Sequence, residues 1–162
     1  MIFLWMILMR STKQEIIDFL KREFAASLVN CDIEEVGEKS ASLVWRVGEK
    51  DLRPGNTISG PTMMTLADFA MYVAILGEIG IVGLAVTTNM NINFLRKPSA
   101  GQNLRGICKL MKVGKALIVA EVWVYSIDQM NDPVAHVTGT YSVPPMKIIN
   151  QEVLLNSTAN VE

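Results

Sequence analysis

The chain has 162 residues, half of them hydrophobic and 19% charged, with a net charge of −1. That balance suits one packed domain burying roughly two-thirds of its unfolded surface, and it excludes a disordered chain. Lysine and arginine form small groups (Lys21–Arg22, Arg96–Lys97, Lys109 to Lys115), too sparse for a nucleic-acid surface.

The opening "MIFLWMILM" is nine apolar residues, well short of the roughly 20 that cross a bilayer. It lacks the basic start and the cleavage site of a secretory signal. Residues 1–10 therefore read as an extension outside the core, since "MRSTKQEIIDFLKREF" from Met9 makes a natural beginning. A membrane-surface anchor, or a segment docked on the fold or on a second subunit, are the other readings. One domain is expected over 11–146, followed by a polar, frayed tail over 147–162.

Ser11 or Thr12 can cap a helix, with Glu15 completing a Thr-x-x-Glu box. Ile16, Ile17, Phe19, Leu20 and Phe24 then predict an amphipathic helix over 12–26. Two short strands follow, near 31–37 and 41–48, the second with Leu43, Trp45 and Val47 on one side. "GEKDLRPGNTISGP" is the principal loop. A long apolar helix runs from about 61 to 79, with Pro61 at its first position and Gly80 near its end.

The remainder is strand-like. "AVTTNMNINFLR" alternates, with Thr87, Asn89, Asn91 and Asn93 on one face and Thr88, Met90, Ile92 and Phe94 on the other. That period of two predicts a half-buried antiparallel strand. "NLRGICKLMKV" and "ALIVAEVWVYSI" make a hairpin about Gly114–Lys115, and "VAHVTGTYSV" is the last strand. One hydrophobic helix and a run of meandering strands imply an α+β layer, with a sheet wrapped over the helix.

Cys31 and Cys108 have no metal-ligand spacing, and His136 is the one histidine, so no zinc cluster is expected. Reduced thiols in a cytoplasmic protein are the simplest reading. The chemistry instead points to "SGPTMMTLADFAMYVAIL", where Asp68 is the one charged residue. Its helical neighbours Met64, Thr65, Met71 and Tyr72 include no cation. A carboxylate on an otherwise apolar helix is costly unless it is hydrogen-bonded, and such groups gather at active sites. An Asp on a narrow wet stripe is the competing reading. Nine residues upstream, Ser59, Gly60 and Pro61 form the helix start, where free backbone N–H groups and the dipole can hold an oxyanion. Because Pro61 has no N–H, Gly60 is the leading donor.

"GNTISGPTMMTLAD", "VTTNMNINFLRKPSAGQNL", "KVGKALIVAEV" and "DPVAHVTGTYS" together resemble the hot-dog fold acyl-CoA thioesterases, with the phenylacetate-degradation (PaaI-like) branch nearest. The resemblance covers about residues 30 to 145. It implies a curved antiparallel sheet around a long central helix, here preceded by the amphipathic helix. It also implies a homodimer or homotetramer with sites at the subunit interface.

The family's helix start is usually His-Gly-Gly, with an acidic residue nine positions after the histidine. Ser59, Gly60, Pro61 and Asp68 match those positions, so Ser59 replaces the histidine and Pro61 the second glycine. By resemblance, the Gly60 amide polarises the thioester carbonyl, and Asp68 acts as general base or nucleophile. Ser59 and Asn56 are candidate supporting residues, and so is Thr87, where some relatives place a water-orienting serine. Arg53 stands where some relatives carry an asparagine. Arg96, Lys97, Lys112 and Lys115 are candidates for the phosphates of coenzyme A, and Met64 for the acyl group. The expected substrate is an acyl-CoA thioester, with coenzyme A entering as part of the substrate and no separate cofactor, metal or nucleic-acid partner. A non-catalytic acyl-CoA-binding module and an acyl-carrier-protein thioesterase stay open as alternatives.

Overall fold

The computed structural model describes residues 10–145. The apolar opening and the polar tail, with the readings attached to them, lie outside the described residues.

Helix α1 (Lys13–Glu23) begins where the sequence says it should. The Thr12 side chain accepts from the Glu15 amide, and the Glu15 carboxylate accepts from the Thr12 amide, a reciprocal cap worth about 1 kcal/mol. The helix stops at Phe24 rather than 26, and a 3-10 turn, Ala25–Leu28, carries the chain onward. Ile16, Phe19 and Leu20 are buried.

Strands β1 (Cys31–Gly37) and β2 (Ser40–Trp45) pair antiparallel. Val47 lies beyond the strand end. The segment expected as plain loop contains a 3-10 turn, Glu49–Asp51, and a small ladder of β3 (Leu52–Arg53) with β4 (Thr57–Ile58). Gly55 and Asn56 take positive φ, 92° and 55°, to close that ladder.

Helix α2 (Gly60–Ile79) is capped by Ser59. Pro61 therefore sits second in the helix rather than first, one position later than expected. By length and composition α2 could cross a membrane, yet 72% of that stretch is buried inside the fold. It is the central helix of a six-stranded antiparallel sheet, ordered β1-β2-β6-β7-β8-β5. The other strands are β5 (Val86–Phe94), β6 (Leu104–Val113), β7 (Leu117–Ser126) and β8 (Ala135–Ser142). This is the hot-dog architecture. Close approach of sheet to helix depends on small residues on both sides. Ala67, Ala70 and Ala74 are fully buried, and a Cβ at Gly139 of β8 would stand only 2.6 Å from Met71 Sδ.

β5 departs from the simple alternation. A bulge falls between Thr87 and Asn89 in its pairing with β8, which offsets the strand by one residue. Thr87 pairs with Tyr141, Met90 with Gly139 and Ile92 with Val137, and Tyr141, Gly139 and Val137 all face inward. Thr87 thus leaves the asparagine face and turns toward the helix. β5 is also an edge strand, mostly exposed, rather than half-buried.

On the outer face, Arg105 of β6 reaches across β2 to hold Glu34 of β1 through two hydrogen bonds of 2.7 Å. Those bonds hold the Glu34 carboxyl below its ordinary 4.5. A lowered carboxyl stabilises the fold above its unfolded value and loses that contribution as pH falls through the folded one. Arg105→Met should therefore cost about 0.5–1 kcal/mol at neutral pH. In urea titrations the gap to wild type should close on acidification; a gap that persists or widens in acid would contradict the assignment.

Candidate active site

Helix α2, although apolar along most of its length, is not buried on every side. Pro61 and Thr65 are exposed, and Asp68 and Tyr72 are half-buried; their spacing of three to four residues makes one open stripe. Thr65, Asp68 and Tyr72 of that stripe floor a cavity of about 550 Å³. Phe24, Ala26 and Ser27 wall it on one side, Gly83 and Ala85 to Thr87 on another, and Trp45, Phe69, Tyr72 and Tyr141 supply aromatic faces. The Trp45 indole N–H is buried and has no hydrogen-bond partner among the described residues.

Asp68 looks into this cavity and is held by neutral donors. Thr87 Oγ1 donates to Asp68 Oδ1 at 2.6 Å, and the Tyr141 hydroxyl donates to the same oxygen at 2.8 Å. Among the described residues no hydrogen bond to Oδ2 is recorded and no cation pairs with Asp68. The tyrosine is a residue that sequence reading missed. Its available signal was position: Val137, Gly139 and Tyr141 share the inner face of β8, and a hydroxyl on a core face needs an acceptor. Burial first, and the nearby Asp68 charge second, push the Tyr141 phenol above its ordinary range, so it stays protonated and donates.

Gly60 lines a different cavity, of about 390 Å³, with Arg53, Thr57, Met63, Phe94, Arg96, Lys97 and Pro98. Eight residues of helix separate Gly60 from Asp68, about 12 Å. Within one chain, then, the Gly60 amide expected to hold an oxyanion and the Asp68 carboxylate do not face the same space. A Cβ on Gly60 would lie 3.0 Å from the Phe94 ring, so glycine keeps the helix start open beside that ring.

Ser59 is committed to the helix end. Its side chain accepts from the Thr62 amide at 3.4 Å and lies 3.0 Å from the Thr62 hydroxyl. Thr62 in turn donates to Asp51 Oδ1 at 3.1 Å, the Gly48 amide donates to Asp51 Oδ2 at 2.8 Å, and the Ser59 amide donates to the Asp51 carbonyl at 2.7 Å. Asp51 is buried and fixes the loop to the helix start. It too was missed, because an aspartate inside a polar loop carries no periodic signal.

Of the basic candidates, Arg96 and Lys97 share the Gly60 cavity with Arg53. Arg96 also donates to the Pro133 carbonyl and pairs with Asp132. Lys112 and Lys115 are exposed at the β6–β7 end and line neither cavity. Met64 and Asn56 line neither as well; Asn56 serves as a left-handed turn residue. Cys31 and Cys108 are buried free thiols, both pushed up to about 12 by burial. Among the described residues no metal-binding cluster occurs.

Residues 55–132 match the family model described as the thioesterase superfamily. A solved candidate thioesterase from a Silicibacter species is 37% identical, covers 83% of this chain and 92% of its own, and superposes with a TM-score of 0.75. The Escherichia coli PaaI protein of the phenylacetic acid degradation operon is 23% identical, over 81% and 91%, with a TM-score of 0.71. Zebrafish thioesterase superfamily member 2 is 19% identical, over 83% and 99%, at 0.72. The last two are likenesses of fold. No curated protein sequence matches.

The Asp51 network yields a prediction independent of the reaction. Asp51→Ala removes the carboxylate that accepts from the Gly48 amide and the Thr62 hydroxyl, and should cost about 1–3 kcal/mol by denaturant unfolding. Stability unchanged within error would mean that the loop is held by other contacts.

Proposed function

The chain belongs to the thioesterase superfamily, and from that premise we propose that it hydrolyses acyl-CoA thioesters to a free acid and coenzyme A. The observation that carries this reading is the Asp68 carboxylate. It stands on the wall of an aromatic-lined cavity, held by two hydroxyl donors through one oxygen. In the reaction, Asp68 takes a proton from water as that water attacks the thioester carbon. The carbonyl oxygen, gaining charge, is received by a helix N-terminus. Collapse then expels the coenzyme A thiolate, which recovers the proton from Asp68. Coenzyme A enters as part of the substrate, and the steps named use no other cofactor. The cytoplasm is the compartment this substrate implies.

The oxyanion donor comes from a second copy of the chain. β5 is an edge strand with Val86 and Phe94 exposed, 56% and 52%. Two copies of β5 paired antiparallel about a twofold axis near Met90 would set the Phe94 end of one against the Val86 end of the other. Gly60 packs beside Phe94, and Thr87 bonds Asp68. Such pairing brings one copy's Gly60 toward the other's Asp68, and with it Arg53, Arg96 and Lys97 as partners for phosphate. The homodimer is then the smallest active unit.

Thiol release from short, medium, long and aryl acyl-CoAs tests the reading, with Asp68→Asn alongside after both are checked for fold and oligomeric state. Turnover by wild type should fall by about 10²–10⁴-fold in the variant, while binding of the best substrate persists. Tight binding without turnover in wild type would overturn hydrolysis and favour a binding module.

A further inference from the structure

The two oxygens of a carboxylate are equivalent until the protein makes them different, because the terminal torsion of aspartate is broad and nearly two-fold. Here they differ. Thr87 and Tyr141, from strands on the same side of the helix, both donate to Oδ1, at 2.6 and 2.8 Å. The Tyr141 hydroxyl also lies 3.1 Å from the Asp68 main-chain carbonyl, so it spans the residue's backbone and side chain and fixes the torsion between them. Tyr141 itself cannot drift. Its side chain is buried on the inner face of β8 and stacks on Tyr72 with ring centroids 6.4 Å apart. The Tyr72 hydroxyl donates in turn to the Gly83 carbonyl at 3.1 Å.

We propose that Tyr141 is a positioning residue for hydrolysis: with Thr87 it occupies Oδ1 of Asp68 and leaves Oδ2 as the oxygen that takes the proton from water. The inference rests on Asp68 being the base. In the step, a water O–H breaks and its proton goes to Oδ2 as the water oxygen bonds to the thioester carbon. The carbonyl electron pair moves onto its oxygen, then returns as the C–S bond breaks, and the thiolate takes the proton from Oδ2. Without Tyr141 the carboxylate can rotate, and the oxygen facing water is no longer fixed. Thr87 has the lesser task, because a single hydroxyl at the rim of the cavity can anchor Oδ1 without tying it to the main chain. This differs from a threonine that orients water directly, the role its sequence position suggests.

The test is Tyr141→Phe, which keeps the buried ring and removes only the hydroxyl. Once wild-type turnover is in hand, kcat should fall about 10- to 100-fold with KM unchanged within about twofold. In the Asp68→Asn background the same substitution should lower kcat no further, because the group it positions is already gone. Should Tyr141→Phe fail to fold, Thr87→Val and Thr87→Ser at the cavity rim carry the question: valine should lower kcat and serine should restore it. An unchanged kcat, a loss confined to KM, or a full additional loss in the Asp68→Asn background would overturn the assignment. A wild type that turns over no acyl-CoA removes the hydrolase reading and this proposal together, whereas turnover that survives Tyr141→Phe removes this proposal alone.

Discussion

A carboxylate must be kept on a helix whose other sides are packed in apolar surroundings, and the fold is arranged around that requirement. Among the described residues no cation neutralises Asp68 and its partners are hydroxyls, so its burial can only be partial and its donors must be neutral. Both conditions are met by geometry rather than by charge. The stripe Pro61, Thr65, Asp68 and Tyr72 is left half-open, while Leu66, Ala67, Ala70 and Ala74 are buried. Two hydroxyls come in from β5 and β8. The bulge at Thr88 is what delivers the first of them, since an unbroken strand would turn Thr87 to the opposite face.

The same sheet ends in two edge strands, β1 and β5, and β5 is the one beside the site. β5 hydrogen-bonds to β8 alone and exposes apolar side chains at each end, which is a liability for an isolated copy. Within one chain the helix start and the carboxylate open to different cavities. The proposed pairing of two copies would resolve both features, covering the edge and bringing the two halves of the proposed site together. Assembly and chemistry would then be inseparable.

The architecture was largely legible because its signals are periodic. The Thr12–Glu15 box, the run of apolar residues after Pro61 and the alternation in the last four strands each locate an element to within a few residues. The family motif put forward Gly60 and Asp68, which the fold places at the start of α2 and on its half-open stripe. What the sequence withheld depends on contacts distant in the chain. Tyr141 is 73 positions from Asp68, and nothing local marks it except its inward parity on β8. Asp51 organises the helix start from within a loop, where no period applies. The bulge inverted the expected facing of Thr87, because one extra residue changes parity without leaving a compositional trace. Lys112, Lys115 and Met64 were suggested by residue type, and type alone does not decide which cavity a side chain borders.

The central claim, that a site is made from Asp68 of one copy and the Gly60 amide of another, can be tested by complementation. Asp68→Asn and Gly60→Pro, which deletes the amide N–H, should each be inactive as homodimers. Co-expressed and randomly paired, half of the dimers are mixed and each of these has one intact composite site, so activity should return to about a quarter of wild type. No recovery from a verified mixed dimer would mean that the two residues do not act across the subunit boundary.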